Sequence, residues 1–475
     1  MKTSAVILVF AIWFAIGCLI SYYAKKKRGR GIAEYFIANR KLGGFAAAMT
    51  YSATTYSAFM MVGLIGMAYA VGASAMGFEL TYLISTVLLL VYFAPKFWAM
   101  GKQYNCITPT ELLSKRYKSN LLGIIVTVFA LIMLVPYMSV QFTGIGYLLQ
   151  GLAGIPYIVG ITIALIVIIT YTFWGGMRSV AWTDALQAVV MIIASIVLLF
   201  YVVLSGFGNF GNFFGTLQNS HPELLSAKNM SYQKFIGLSI PWMFFALTNP
   251  QVSQRMFLPK DRKSLKNMVI GFSLFGLIYT FIVVNLGLAA KCIFPNILKT
   301  DTVTMEILNR VPTALALIVF ISIVAASVST VDSIILSLSS MCTVDIFGKI
   351  SKTNKERQLP FGVLMVPIIA ILAFIFAIGR FGAIVELSVM SSAGLLATAP
   401  AYIGIFWKRA TKMGAITSIL AGGTTVIILY STKYFPLGMW PGVWCAIIST
   451  LTFILVSLRT GRSKQQSKKE VLLNE

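Results

Sequence analysis

The sequence predicts an all-α polytopic membrane protein, and three observations carry that reading. Apolar runs recur along almost the whole chain, and about 20 such residues cross a bilayer as a helix. Charged residues make up only 11% of the 475 residues, against 58% hydrophobic, too little charge to coat a water-soluble domain. Lysine and arginine gather in alternate gaps between the runs, the pattern of a chain with its positive loops on the cytoplasmic side.

About thirteen spans are expected, at roughly 4–24, 43–70, 76–99, 121–150, 155–174, 180–204, 234–257, 268–290, 311–341, 361–379, 382–407, 413–431 and 440–458. The first is followed by Lys25, Lys26, Lys27, Arg28 and Arg30, the reverse of a cleaved signal peptide, whose charge precedes its apolar core. It is therefore expected to stay as a helix. With the N-terminus outside and the C-terminus cytoplasmic, 30 of the 38 Lys and Arg fall inside. An even number of spans scrambles that bias.

Two spans break the simple pattern. Segment 43–70 is interrupted by Gly43, Gly44, Gly63 and Gly66 and carries the hydroxyl cluster TYSATTYS at 50–57. Segment 234–257 holds Pro241 and Pro250, with Asn249 and Gln251 beside the second. Proline removes a helix hydrogen bond, and irregular backbone at membrane depth survives only beside protein or water. The two segments open two sets of five spans, about 43–204 and 234–407, a pointer to a 5+5 inverted-repeat transporter core. Residues 1–460 then form one transmembrane domain, and the polar tail 461–475 is expected to be disordered in the cytoplasm.

The net charge of +24 is explained by this topology and implies no nucleic-acid partner. The five cysteines, Cys18, Cys106, Cys292, Cys342 and Cys445, form no CxxC pair and read as packing residues, a Cys292–Cys445 bridge on the outer side being the one conceivable link. The only histidine, His221, lies in the outer loop 205–233, where GFGNFGNFFG suggests turns and a flexible connection. No triad, zinc spacing or strand–loop–helix phosphate motif is present, so the chain does not read as an enzyme.

Charge at membrane depth is costly and points to function. Four of the 14 acids fall within or at the edge of spans: Glu79, Asp184, Asp332 and Glu386. Asp332 belongs to AASVSTVDS (325–333), in which Ala326, Ser329, Thr330 and Ser333 recur at i, i+3, i+4 and i+7 on one helix face. Ser and Thr in such a face can bond their own i−4 carbonyls and aid packing. An aspartate in the same patch and a broken partner helix turn the reading toward a site for a cation held by carbonyls and hydroxyls.

Four stretches together resemble the sodium:solute symporter family: EYFIANRKLGG with ATTYSAFMMVG (34–44 and 53–63), YTFWGGMRSVAWTDALQAVVM (171–191), NPQVSQRMFLPKD (249–261) and AASVSTVDSIILSLSSMCTVDIFG (325–348). They occur in family order over about residues 5–460, and NRKLGG, SVQFTG and LAGIPY look closest to the pantothenate and proline transporter branches. The resemblance implies Na+ as coupling ion, with carbonyls of Ala53, Tyr56 and Ala326 and hydroxyls of Ser329 and Thr330 around it. It further implies a second cation site at Asp184, Asp332 and Ser333. Solute contacts would come from Thr55, Ser57, Ala58, Phe59, Met60, Glu79, Gln141, Trp242, Ala246 and Pro250. Thr55 and Ala246 stand where proline transporters have an aspartate and a tyrosine, which counts against proline.

The expected function is Na+-coupled symport of a small organic solute (vitamin, amino acid, sugar or carboxylate) by alternating access in a bacterial plasma membrane. Two alternatives stay open: a proton-coupled symporter using Asp332 and Asp184, and a non-transporting membrane sensor. Sensors of this kind add cytoplasmic signalling domains, and none is expected after Gly461.

Overall fold

The computed structural model describes residues 3–27, 29–351, 355–382 and 384–473. It is helical almost throughout; among the described residues the only strand-like pairing is a bridge between Leu42 and Pro259. Among the described residues, ten helices are long and apolar enough to cross a membrane, or eleven when the bent pair Gly44–Thr55 and Phe59–Val71 is one crossing. Tyr157–Phe173 is a shorter apolar helix, and 232–257 is a series of helical pieces; thirteen is the total reached if both also cross.

Both expected interruptions are present. Gly44–Thr55 stops where Tyr56 leaves helical geometry (φ −94°, ψ 99°), and the chain resumes in a π-helical turn, Phe59–Leu64, bent by 53° from the first half. The second run is cut into Tyr232–Met243, Phe245–Thr248, Pro250–Ser253 and Gln254–Phe257, with Asn249 extended just before Pro250. Pro250 has no N–H to extend the preceding helix, and its fixed φ suits the first turn of the next.

The expected spans 155–174 and 180–204 form one helical run, Tyr157–Phe207, kinked at Gly176 (φ 61°). A Cβ there would sit 2.5 Å from the Tyr35 carbonyl oxygen, so both the left-handed backbone and the close approach require glycine. The Arg178 guanidinium then pairs with the buried Glu34 carboxylate at 2.6 Å. The stretches EYF and GGMR are thus one packed unit.

Burial separates centre from periphery. In the helix run Thr313–Ile350, 83% of the apolar stretch is buried, against 11% for Thr3–Lys26. The hydroxyl-rich helix Thr313–Met341 therefore runs through the core and the first span lies at its edge.

The segment 205–233 corrects one expectation. Phe210–Ser220 is a helix, not a run of turns: the Asn209 side chain accepts from Asn212 N–H at 2.8 Å, and Phe213 and Leu217 bury one face. The His221 ring pairs with the Glu223 carboxylate at 3.2 Å. All five cysteines are free, so Cys292 and Cys445 are not bridged. The last helix is described as far as Leu473; Asn474 and Glu475 of the expected tail lie outside the described residues.

Candidate functional site

The end of the first half-helix supplies the chemistry. The last carbonyls of a helix have no partner within it, and here the turn after Thr55 adds none for Ala53 or Thr54. The hydroxyl helix fills the gap: Ser329 Oγ donates to the Ala53 carbonyl at 2.8 Å and lies 3.0 Å from the Ala326 carbonyl. Thr330 Oγ1 is 3.4 Å from the carbonyls of both Ala53 and Thr54. Five oxygens from two helices thus share one fully buried spot, an arrangement suited to a small dehydrated cation once the hydroxyls turn their lone pairs inward.

Four of the five expected sodium residues, Ala53, Ala326, Ser329 and Thr330, meet there, and Thr54 joins them. Tyr56 ends the half-helix, and its ring stacks on Phe272 and Phe275. Gly276 makes room for its hydroxyl, which a Cβ at that position would meet at 2.1 Å.

Beside this spot lies a buried charge network. Thr54 Oγ1 is 2.8 Å from Ser333 Oγ, and Ser333 in turn bonds the Arg255 guanidinium. Arg255 Nη2 faces Asp184 Oδ2 at 3.6 Å, with both side chains fully buried, while Thr50 Oγ1 donates to the same Asp184 oxygen at 2.5 Å. Asp332 accepts from Thr172 Oγ1 at 2.6 Å, and its second oxygen, Oδ2, is buried without a partner. Asp184 faces the Arg255 guanidinium, and Asp332 is the neighbour of Ser333, which bonds the same guanidinium. Two carboxylates against one guanidinium leave one negative charge unbalanced when both acids are ionised, a charge that a cation or a proton can cancel.

Arg255 is absent from the expected site: it closes the span 234–257 and reads as the first residue of a cytoplasmic loop. The structure makes it one of the largest fully buried side chains. The available signal was its place four residues after Gln251, whose carbonyl accepts from Arg255 Nη1 at 3.0 Å. A further acid, Asp345, is buried near the end of the helix run Thr313–Ile350, bonded by Thr108 Oγ1 at 2.6 Å. Glu386, by contrast, is exposed in the first turn of Ile384–Leu395.

The four motif stretches therefore converge through Ala53, Thr172, Asp184, Arg255 and the 329–333 hydroxyls. A family model for the sodium:solute symporter family matches residues 35–422, which contain all of them. The chain belongs to the sodium:solute symporter family. Among similar proteins, the sodium/pantothenate symporter of Escherichia coli (strain K12) is 29% identical over 474 residues, covering 97% of this chain and 98% of that one. The osmoregulated proline transporter OpuE of Bacillus subtilis (strain 168) is 27% identical, covering 97% and 96%. A Na+-coupled sialic acid symporter, solved in a substrate-bound outward-open state, superposes with a TM-score of 0.81 at 19% identity, covering 96% of this chain and 98% of that one, a likeness in fold. The matched proteins are transporters, and this symporter-family chain is not an enzyme.

The symporter's expected solute residues fall into two groups. Trp242 and Phe59 lie in an aromatic cluster: Trp242 stacks on Phe59 at 5.3 Å and on Phe245 at 4.9 Å, with Tyr82 edge-on at 5.5 Å, and Glu79 is buried on the helix that carries Tyr82. The others are held by local bonds. Gln141 Oε1 accepts from Ala58 N–H at 3.2 Å, Ser57 Oγ accepts from Phe59 N–H at 3.2 Å, and Thr55 Oγ1 donates to the Tyr51 carbonyl at 2.7 Å. Met60, Ala246 and Pro250 are buried and contribute packing and backbone.

Proposed function

We propose that the chain couples inward Na+ flow to uptake of a small organic solute, in a bacterial inner membrane with the N-terminus outside and the C-terminus cytoplasmic. The observation that carries the reading is the meeting of Ser329 and Thr330 hydroxyls with the Ala53 and Thr54 carbonyls across the break of the first half-helix. Na+ there ties the broken helix to the hydroxyl helix. The solute occupies the other side of the same break, between residues 55–60 and 242–250, so binding of one ligand biases the backbone that holds the other. Coupling requires that both ligands prefer the same state, since equal affinity for two states shifts nothing. The halves 43–204 and 234–407 rock about these two breaks within one transmembrane domain of thirteen crossings.

The test is uptake into proteoliposomes under an imposed Na+ gradient. Ser329→Ala with Thr330→Ala should raise the Na+ concentration for half-maximal uptake at least tenfold at unchanged protein level. Equal Na+ activation in the double variant contradicts the assignment.

A second reading follows from the partnerless Asp332 Oδ2. Asp184, Asp332 and Ser333 then hold a second cation beside Arg255, or Asp332 carries a proton. Uptake across pH at fixed Na+ separates the two. Asp332→Asn abolishing accumulation, with Na+ removal having little effect, is the signature of proton coupling.

A further inference from the structure

Away from the ion site, three connectors enclose a basic cavity of about 650 Å³. It lies where Pro109–Arg116 passes into Asn120–Ala153, where Trp407 leads into Lys412–Thr432, and along residues 457–461 of the last helix. Five cations line it, Arg116, Lys118, Lys408, Arg409 and Lys412, and among the described residues no acid does. None of the five is in an ion pair among the described residues. On the topology proposed above all three segments face the cytoplasm, where positive loops are ordinary. Two further features make this one a place for a ligand.

The first is that its walls are tied together. Arg116 Nε and Nη2 donate to the Ile405 and Trp407 carbonyls at 2.8 and 2.9 Å, and Tyr117 OH donates to the Ala401 carbonyl at 2.9 Å. Thr411 N–H donates to Ser457 Oγ at 3.3 Å, which joins the second connector to the last helix. The cations therefore stand on a fixed frame.

The second is that the cavity continues into an apolar groove of about 340 Å³, lined by Ala399, Gly404, Trp407, Ala446 and Phe453. Ile403 and Ile454 also line it and are exposed, so the groove opens on the molecule's surface. Trp407 lines the groove and Lys408 the cavity; on the last helix Phe453 lines the groove and Ser457, about one turn on, the cavity. The Trp407 and Phe453 rings meet at 5.7 Å where the two join. An apolar trough one turn from a cluster of cations has the polarity of a phospholipid, an acyl chain followed by a phosphate. Free phosphate has no use for the groove, and a zwitterionic headgroup brings its own ammonium against the cations.

We propose that cavity and groove together bind one anionic phospholipid, its phosphate among Lys408, Arg409 and Lys412 and an acyl chain along the groove. The lipid then fills the seam between the segment ending at Trp407 and the last helix.

Native mass spectrometry of the full, delipidated chain in neutral detergent reads the binding. The probes are phosphatidylglycerol, phosphatidylcholine with the same chains, and inorganic phosphate. Phosphatidylglycerol should bind about tenfold or more tighter than phosphatidylcholine, and added salt should narrow that preference in the unaltered protein. Lys408→Gln with Arg409→Gln and Lys412→Gln should bring phosphatidylglycerol down to the level of phosphatidylcholine. Lys260→Gln with Arg262→Gln and Lys263→Gln removes the same charge from another exposed loop and should leave the preference unchanged. Ala446→Phe, which fills the groove, should weaken both lipids. The unfolding temperature without lipid shows that each variant is folded. Equal binding of the two lipids, or a preference that survives the triple change at 408–412, overturns the proposal. An equal loss in the 260–263 variant does so too, since it means general attraction to a positive face. Displacement of the lipid by inorganic phosphate at matched concentration, or unchanged binding in Ala446→Phe, overturns it as well, the first by making this a free-anion site and the second by removing the groove.

Discussion

Arg255 and Asp184 are worth more as a pair than either is alone. Breaking a buried ion pair from one side strands a charge and costs about 3–5 kcal/mol, whereas replacing both partners with neutral groups is often close to neutral. Arg255→Met should therefore lower the unfolding temperature sharply, and Asp184→Asn with Arg255→Met should recover most of that loss. Thermal unfolding of the single and double variants checks this, and additive losses would contradict the pairing. The hydroxyls Ser329 and Thr330 were legible from their i, i+1 place on a face with Ala326. Arg255 was not, because a charge at the end of an apolar run reads as a loop residue until the chain's path returns it to the core.

At the scale of elements, the function depends on a helix that stops for three residues and starts again. Gln141, on Asn120–Ala153, holds the restart by accepting from Ala58 N–H. Gln141→Leu leaves that buried amide without an acceptor, a loss of about 1–3 kcal/mol. The variant should unfold at lower temperature and bind Na+ more weakly; unchanged Na+ affinity would show that the break is set elsewhere. Glycines, prolines and clustered hydroxyls marked both interrupted segments in advance. What they did not mark was the helix Phe210–Ser220, since its glycines and asparagines read as turns while its stability comes from one cap and two buried apolar residues. The kink at Gly176 was equally hidden: hydropathy averages over several turns, and one left-handed residue leaves the average unchanged.

The whole molecule buries its hydroxyl-rich helix, 83% of whose apolar stretch is covered, and leaves Thr3–Lys26 at the rim with 11% covered. Recurrent apolar runs with little charge made the fold class legible, and the charge asymmetry carried the expected topology. Four motif stretches far apart in sequence meet at one buried locus, which no local pattern could reveal. The central claim is that this locus binds Na+ between the Ala53–Thr54 carbonyls and the Ser329–Thr330 hydroxyls. Equilibrium binding of radioactive sodium to the purified chain, without solute, tests it most directly. Wild type should bind Na+ saturably, and Ser329→Ala with Thr330→Ala should weaken that binding at least tenfold, about 1.4 kcal/mol. Equal affinity in the two proteins would contradict the account.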